Sequence, residues 1–253
     1  MKILVCVKRV PFTGGKMVLA AGSKSLETRH LGFTISPHEE CGVEESVRII
    51  EAHGGESVAL TLGPPEAVEQ LRDAMALGID RAIHLQTDGQ EWDGEATAAA
   101  IVATIRTEES SEPFDLIFFG NESADACGFQ VGLRVAHALG RPCVTGLKGV
   151  KVEGSAVRCE QDTGSGRDVY VVPLPAVVTV KEGLNLPRYP SVPGRMRAAR
   201  KPVTTSNPTR PEQNLELVEL SVPGGAGRQT RMLGTGAAAA PAVVDMLRDI
   251  GVA

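Results

Sequence analysis

The side chains that could do chemistry are scattered along this sequence. The five cysteines never occur as C-x-x-C; they are Cys6, Cys41, Cys127, Cys143 and Cys159. The five histidines show no metal-ligand spacing, and no Ser-His-Asp, Cys-His or paired-carboxylate set can be assembled. We therefore predict no catalytic residue and no metal site. An odd number of isolated cysteines is typical of reduced thiols, which predicts a cytoplasmic protein.

Three familiar signatures are better explained as turns or linker. Asp162-Thr163-Gly164-Ser165 resembles an aspartic-protease tetrad but occurs once, whereas that chemistry needs two carboxylates. The dinucleotide-like run at 234–239 follows no strand, and Gly14-Gly15-Lys16 lacks the first glycine and the final Ser or Thr of a phosphate loop.

Composition and charge narrow the class of protein. The 253 residues are 42% hydrophobic and carry a net charge of −5, which argues against a general nucleic-acid binder. No run approaches the roughly 18 apolar residues of a membrane span. Met1 leads directly into the strand-like Lys2–Val7, so we expect no signal peptide.

The first ~145 residues alternate apolar runs with helical patterns, which is typical of a parallel sheet with helices on both faces. The predicted strands are Lys2–Val7, Ser57–Leu62, Arg81–Leu85, Asp115–Phe119 and Cys143–Thr145. The predicted helices are Pro37–Ala52, Pro65–Leu77, Gly94–Thr107 and Phe129–Leu139. Ser36-Pro37-His38-Glu39 predicts a capping box at the first helix.

The pattern changes after Thr145. Leu147–Val152, Ala156–Glu160 and Asp168–Val172 predict an antiparallel extension, and Ala176–Val180 predicts one more strand. From Glu182 the chain is rich in Pro, Gly and Arg, with a short helix at 242–250. We predict an α/β domain at 1–181, a loop and basic segment at 182–203, and a C-terminal arm at 204–253. The arm either wraps a partner or is a disordered tail.

Ligands of open parallel sheets bind beyond the carboxyl ends of the strands. The exit of the first strand, the turn Leu62-Gly63-Pro64 and the loop Gly120–Gly128 should converge there. The small residues of this loop would let backbone N–H groups approach a phosphate at the following helix. An ordinary strand-to-helix connection remains the alternative.

Several stretches together resemble the beta subunit of electron-transfer flavoproteins. The most specific are Leu174-Pro175-Ala176-Val177-Val178-Thr179 and Asn185-Leu186-Pro187-Arg188-Tyr189, followed by Val192-Pro193. Weaker similarities lie at Val5–Pro11, Val43–Arg48 and Ala74–His84. The resemblance spans about residues 1–203 and implies a flavodoxin-like or adenine-nucleotide-hydrolase-like sheet, whereas spacing alone gives α/β without a strand order.

The resemblance implies a heterodimer with an alpha subunit that holds most of a redox-active FAD. This chain would be an electron carrier subunit, not an enzyme, serving a flavin-dependent dehydrogenase, and would meet a membrane only through an acceptor. It implies a recognition loop for the dehydrogenase at Pro187–Arg197, including Arg188, Tyr189, Val192, Pro193, Arg195, Met196 and Arg197.

The resemblance also implies one AMP in the crevice. The matching positions are Cys6, Ser36, Pro37, Leu62, Gly63, Ser123, Ala124, Asp125, Ala126, Cys127, Gly128, Phe129, Gln130, Val131 and Gly132. Ser36, Leu62 and Phe129 depart from the family pattern, as does the Asp125–Cys127 run, and Phe129 is bulky enough to fill the nucleotide's volume. AMP, a second FAD in a bifurcating subunit, and no ligand therefore stay open, as does a stand-alone nucleotide-binding enzyme of similar fold.

Overall fold

A computed structural model describes residues 1–12, 14, 17–22, 24–222 and 231–252 of the chain. These residues form two compact units, which divide after Val218. Gly15 and Lys16 of the incomplete phosphate-loop sequence, and residues 223–230 and 253 of the predicted arm, lie outside the described residues.

The first unit contains eleven strands and five helices among its described residues. The strands are β1 Lys2–Cys6, β2 Arg9–Pro11, β3 Phe33–Ile35, β4 Glu56–Gly63, β5 Arg81–Gln86, β6 Leu116–Gly120, β7 Cys143–Glu153, β8 Ala156–Thr163, β9 Gly166–Pro173, β10 Ala176–Val180 and β11 Val203–Ser206. The helices are α1 Pro37–His53, α2 Val68–Leu77, α3 Gly94–Glu108, α4 Val131–Leu139 and α5 Val192–Ala198, with a 3₁₀ turn at Pro65–Ala67.

Nine strands form one sheet in the order β11-β5-β4-β1-β6-β10-β7-β8-β9, and β2 pairs with β3 separately. The pairs from β11 to β7 are parallel, while β7-β8 and β8-β9 are antiparallel. The predicted α/β class, with a parallel sheet and a small antiparallel extension, is confirmed. The sheet reverses its strand order at β1, because β4 lies on one side of it and β6 on the other.

Alternate residues of the central strands face opposite sides of the sheet, and their buried side chains form a hydrophobic core on each side. Ile3 and Val5 of β1 pack with α1 and α2, whereas Leu4 and Cys6 pack with α3 and α4. All five residues of β1 are buried, as expected for a strand covered on both faces. These contacts on both faces hold β1 in the centre of the sheet, and its carboxyl end lies at one edge of the sheet.

The parallel part is wider than the sequence indicated. β10 lies between β6 and β7, and β11 adds a further strand beyond β5. Cys143–Thr145 and Leu147–Val152, predicted as two strands, are one strand, β7. Gly146 has a φ of +65° within it, and this left-handed residue accompanies the register shift against β10.

The second unit contains a 3₁₀ turn at Gly236–Ala239 and the helix α6 Ala240–Asp249 among its described residues. The predicted terminal helix is thus present, two residues longer at its start. Gly236 begins the 3₁₀ turn, and Gly234 lies before it. The dinucleotide-like run is therefore not a strand-to-helix phosphate site.

Candidate functional site

A cavity of about 230 Å³ lies at the carboxyl edge of the sheet, where the strand order reverses at β1. Its walls come from the exit of β1, the end of β4 and the loop between β6 and α4, as predicted, and also from the loop after β5. An open α/β sheet places its ligand crevice at this position. The cavity is therefore the candidate site.

Ten of the predicted cofactor-site residues line the cavity: Cys6, Leu62, Gly63, Ser123, Ala126, Gly128, Phe129, Gln130, Val131 and Gly132. Five do not line it: Ser36, Pro37, Ala124, Asp125 and Cys127. Of these, Ser36 and Pro37 begin α1, and Asp125 pairs with a cavity residue, Lys8. The predicted set therefore gathers around one space.

The loop before α4 has an unusual backbone. Cys127 and Phe129 have φ values of +47° and +55°, a conformation that costs a non-glycine residue about 1 kcal/mol or more. The predicted helix start at Phe129 is wrong for this reason, since a residue with positive φ cannot continue an α-helix, and α4 begins at Val131. The Phe129 side chain lies at the cavity but stays 52% exposed.

The predicted capping box at α1 is only partly present. Ser36 is the N-cap residue, but its side chain makes no capping hydrogen bond. Its hydroxyl instead donates to the carbonyl oxygen of Glu122 at 3.4 Å. The Glu39 carboxylate accepts from the backbone N–H of Lys8 at 2.8 Å, which ties α1 to the exit of β1. Ser36 thus ties α1 to the cavity loop.

Lys8 is the central cation of the site. Its ammonium lies 2.6 Å from a Glu91 carboxylate oxygen and 2.8 Å from one of Asp125. Burial lowers the pKa of Lys8, but Glu91 and Asp125 together raise it above its ordinary value. Burial likewise raises the pKa of Asp125, and the Lys8 ammonium more than offsets this, so its pKa is lowered. Lys8 and Asp125 are therefore ionised, and the two ion pairs of Lys8 join three segments around the cavity.

Glu39 is buried beneath this cluster, with 7% of its surface exposed. Burial raises its pKa to about 8, although the hydrogen bond from Lys8 and the Lys8 charge oppose the change. A Cβ atom on Gly120 would lie 2.6 Å from Glu39 Cγ, so the close approach of β6 to this carboxyl requires glycine. Glu39 therefore carries its proton at neutral pH and can donate a hydrogen bond.

The sequence predictions missed the loop that follows β5. Trp92 lies in it, is 7% exposed and lines the cavity. Its indole Nε1 is buried without a hydrogen-bond partner among the described residues, which is rare for a buried donor. β5 is a parallel strand ending at the same edge as β4, so the topological rule that found Leu62 could also have found Trp92.

Lys8, Arg9 and Glu39 were missed as individual site residues, although the exit of β1 was predicted to contribute. All three line the cavity. The Arg9 guanidinium lies 3.3 Å from the centre of the Phe33 ring, and its Nε has no partner among the described residues. The sequence spacing gave no signal for Glu39, because its role depends on how α1 crosses the end of β1.

The predicted recognition residues form a second surface. Arg188, Tyr189, Val192, Pro193, Arg195, Met196 and Arg197 are exposed, and Pro187 is half-buried. The predicted loop contains a short helix, α5, whose N-cap Ser191 accepts a hydrogen bond from the Gly194 N–H. Proline at its start sets a helical φ and costs no hydrogen bond there, a signal that the sequence prediction did not use.

Three further findings concern the described residues only. No group of three or more His, Cys, Asp or Glu side chains there is placed to hold a metal ion. Within the same ranges, no helix combines the length and apolar character needed to cross a bilayer. All five cysteines are free thiols.

Comparisons of the chain with a family model and with known proteins agree on one family. The family model described as "Electron transfer flavoprotein domain" matches residues 25–211. The beta subunit from Bacillus subtilis (strain 168) is 34% identical over 205 residues, 80% of this chain and 77% of the relative. The beta subunit from Syntrophomonas wolfei is 34% identical over 224 residues, 88% of this chain and 86% of the relative.

A third relative, the beta subunit from Mycobacterium tuberculosis (strain ATCC 25618 / H37Rv), is 35% identical over 208 residues, 80% of this chain and 77% of the relative. The family model covers β4, β5, β6 and the segment that carries α5, and it begins after β1. The chain belongs to the electron transfer flavoprotein family, as a relative of its beta subunits.

Proposed function

We propose that this chain is the beta subunit of a heterodimeric electron-transfer flavoprotein and carries electrons without catalysing a reaction of its own. The observation that carries this proposal is the 34–35% identity with named beta subunits over 80–88% of the chain. Electrons would come from a flavin-dependent dehydrogenase and leave to an acceptor. We place the protein in the cytoplasm on the strength of its isolated free thiols.

The larger alpha subunit is the proposed partner and the main holder of FAD. FAD, when bound in the complex, supplies the redox chemistry by accepting electrons and releasing them. The end of the first unit and the second unit support such a partner, since each exposes apolar side chains: Leu215, Leu217 and Val218 in the first, Met232, Ile250 and Val252 in the second. We therefore keep 204–253 as the proposed arm, after an α/β domain at 1–181 and a recognition loop with a basic segment at 182–203.

AMP is the proposed ligand of the cavity. Trp92 Nε1 is a buried donor that needs an acceptor, and the half-exposed Phe129 leaves space open. These observations fit a small polar ligand. Trp92 would hydrogen-bond it, and the loop 120–130 would surround it with backbone N–H groups.

A second FAD in a bifurcating subunit is the weaker alternative. The cavity of about 230 Å³ is below the roughly 300–1,000 Å³ of most ligand pockets, which favours a mononucleotide over a dinucleotide. A stand-alone enzyme is also weaker, because Lys8, the central cation, is already neutralised by Glu91 and Asp125.

The test is co-expression with the larger subunit, followed by absorbance spectroscopy of the purified complex. Flavin bands that bleach when a flavin-dependent dehydrogenase and its substrate are added are the expected result. A stable complex without flavin bands would contradict the carrier function, and would leave an adaptor role.

A further inference from the structure

Residues 185–201, called the recognition segment below, turn several apolar side chains outward, while Arg188 and Lys201 contact the helices beneath them. Tyr189 is 96% exposed and Leu186 is 85% exposed, and Val192 and Met196 are also exposed. A segment of seventeen residues would adopt many conformations if it were free. The segment nevertheless has a defined backbone, so contacts on its inner side must hold it.

The strongest inner contact joins Arg188 to Glu44 of α1. The Glu44 side chain is almost completely buried, and its carboxylate accepts from the Arg188 backbone N–H at 3.1 Å and from Nε at 2.9 Å. Arg188 Nη2 donates to the other carboxylate oxygen at 3.1 Å. One buried carboxylate thus fixes both the main chain and the guanidinium of a residue 144 positions away in sequence.

Two further charges complete an Arg188 cluster, defined as Arg188, Glu44, Glu51 and Arg48. Glu51, which follows Glu44 by seven residues on α1, accepts a hydrogen bond from Arg188 Nη1 at 2.6 Å, and its side chain is exposed. Arg48 Nε donates to Glu44 at 2.8 Å. Burial raises the pKa of Glu44, but hydrogen bonds from Arg188 and Arg48 more than offset this, and the pKa is lowered. Glu44 is therefore ionised and keeps one arginine partner even without Arg188.

The rest of the segment is attached at both ends. Asn185 Nδ2 donates to the Cys41 carbonyl at 3.0 Å and to Glu45 at 2.9 Å. At the other end, Lys201 Nζ donates to carbonyl oxygens at the end of α2, including Gly78 at 3.2 Å. Arg72 of α2 reciprocates by donating to the carbonyl of Lys201 at 2.7 Å.

The short helix α5 also lies directly on α2. A Cβ atom on Gly194 would stand 2.6 Å from the Ala76 carbonyl oxygen, so only glycine permits this approach. Within residues 186–193, the ion pairs of Arg188 are the only salt bridges to α1 in the part of the chain that the structure describes. The apolar stretch around Tyr189 consequently depends on Arg188 for its position.

We propose that Arg188 is a positioning residue, which holds the Leu186–Met196 surface in its docking shape before the dehydrogenase arrives. The inference rests on the proposed function. A surface that is ordered beforehand loses less conformational entropy on association, so its affinity is higher for the same contacts. Arg188 points away from the partner and acts through the segment that it anchors.

The test compares three variants within the full heterodimer. Arg188→Met removes the ion pairs and keeps most of the aliphatic stem, and Glu44 remains paired with Arg48. Arg188→Lys keeps the charge but cannot form the fork. Glu51→Gln, the matched control, removes only the exposed half of the cluster. The donor is whichever flavin-dependent dehydrogenase of the same organism reduces the wild-type complex with the lowest KM.

We expect Arg188→Met to raise the KM for the complex about tenfold with kcat changed less than twofold, and to speed hydrogen exchange of amides 186–198 by at least tenfold. Arg188→Lys should fall between it and wild type, and Glu51→Gln should stay within twofold of wild type. FAD content and dithionite reduction should be unchanged in all three.

Faster exchange in Arg188→Met with an unchanged KM would overturn the docking role, and unchanged exchange would overturn the anchoring role. A fall in kcat equal to the rise in KM would also contradict positioning, because it would indicate damage to electron transfer itself. A wild-type complex that no dehydrogenase reduces would overturn the proposed function, whereas the exchange comparison does not depend on any donor.

Discussion

The cavity and the recognition segment differ in the kind of side chain that each leaves without a partner. Around the cavity, Lys8 pairs with Glu91 and Asp125, whereas Trp92 Nε1 and Arg9 Nε have no hydrogen-bond partner among the described residues. In the recognition segment, Arg188 turns back to a buried carboxylate, and Tyr189 is left in solvent. The cavity thus keeps donors without a partner in the described part of the chain, while the recognition segment leaves aromatic and aliphatic side chains in solvent.

This difference indicates what each region binds. A small polar ligand needs unsatisfied hydrogen-bonding groups in a concave site, whereas a protein partner is held mainly by exposed aromatic and aliphatic side chains on an ordered backbone. Residue type alone would not separate the two, since both regions are rich in charge. The unpartnered donors of the cavity and the exposed apolar side chains of the recognition segment do separate them.

The largest expected effect is on the free energy of unfolding, and it comes from replacing the buried Glu39 carboxyl of the cavity by an amide. Glu39 keeps its proton in the folded protein up to about pH 8, whereas the unfolded chain releases it near pH 4.5. The folded state therefore binds more protons between these values, and the free energy of unfolding falls as the pH rises through this window. At about 1.4 kcal/mol per pKa unit, the cost at pH 9 is roughly 5 kcal/mol.

Glu39→Gln should remove this cost. We expect the variant to exceed wild type by roughly 5 kcal/mol at pH 9 and by only about 1 kcal/mol at pH 5 in urea denaturation. Equal slopes for wild type and Glu39→Gln would show that Glu39 is ionised in the folded protein.

A smaller effect should follow from removing the exposed aromatic residue of the recognition segment. Tyr189→Ala should raise the KM of the dehydrogenase for the complex about thirtyfold, since aromatic anchors contribute about 2 kcal/mol or more to protein interfaces. Its stability should change by less than about 0.5 kcal/mol, because a residue 96% exposed packs on little.

The other tyrosine of the chain, Tyr170 on the edge strand β9, provides the matched control. Tyr170→Ala should leave the KM within twofold of wild type. Equal effects of the two substitutions would mean that exposed aromatic surface in general, and not the recognition segment, determines the encounter.

The smallest effect concerns the unpartnered indole. Trp92→Phe removes Nε1–H and retains the ring, so AMP should bind about fivefold more weakly in calorimetry, equivalent to about 1 kcal/mol for one hydrogen bond. The melting temperature without AMP should not fall, because the donor satisfies nothing in the protein. An unchanged affinity would place the ligand away from Trp92.

The sequence allowed the main elements and one edge of the cavity to be predicted, because their signals are local. The buried run Lys2–Cys6 and the helix Pro37–His53 follow from apolar spacing and from a proline at the first helical position. Leu62-Gly63 and the loop 120–130 follow from the rule that ligands bind at carboxyl ends of parallel strands.

The features that were missed depend on long-range geometry. The insertion of β10 between β6 and β7 leaves no trace in spacing, and β11 is four residues of mostly exposed edge strand. The pKa of Glu39 depends on burial by β1 and β6, and the role of Glu44 depends on a residue 144 positions away. No periodicity within one segment encodes such contacts.

The cavity and the flavin can be tested together by denaturing the complex with its larger subunit and quantifying the released nucleotides by chromatography. One FAD and one AMP per heterodimer are predicted. One FAD without AMP would contradict the assignment of the cavity, and two FAD would indicate the bifurcating type. A folded heterodimer that releases no flavin would contradict the electron-carrier function.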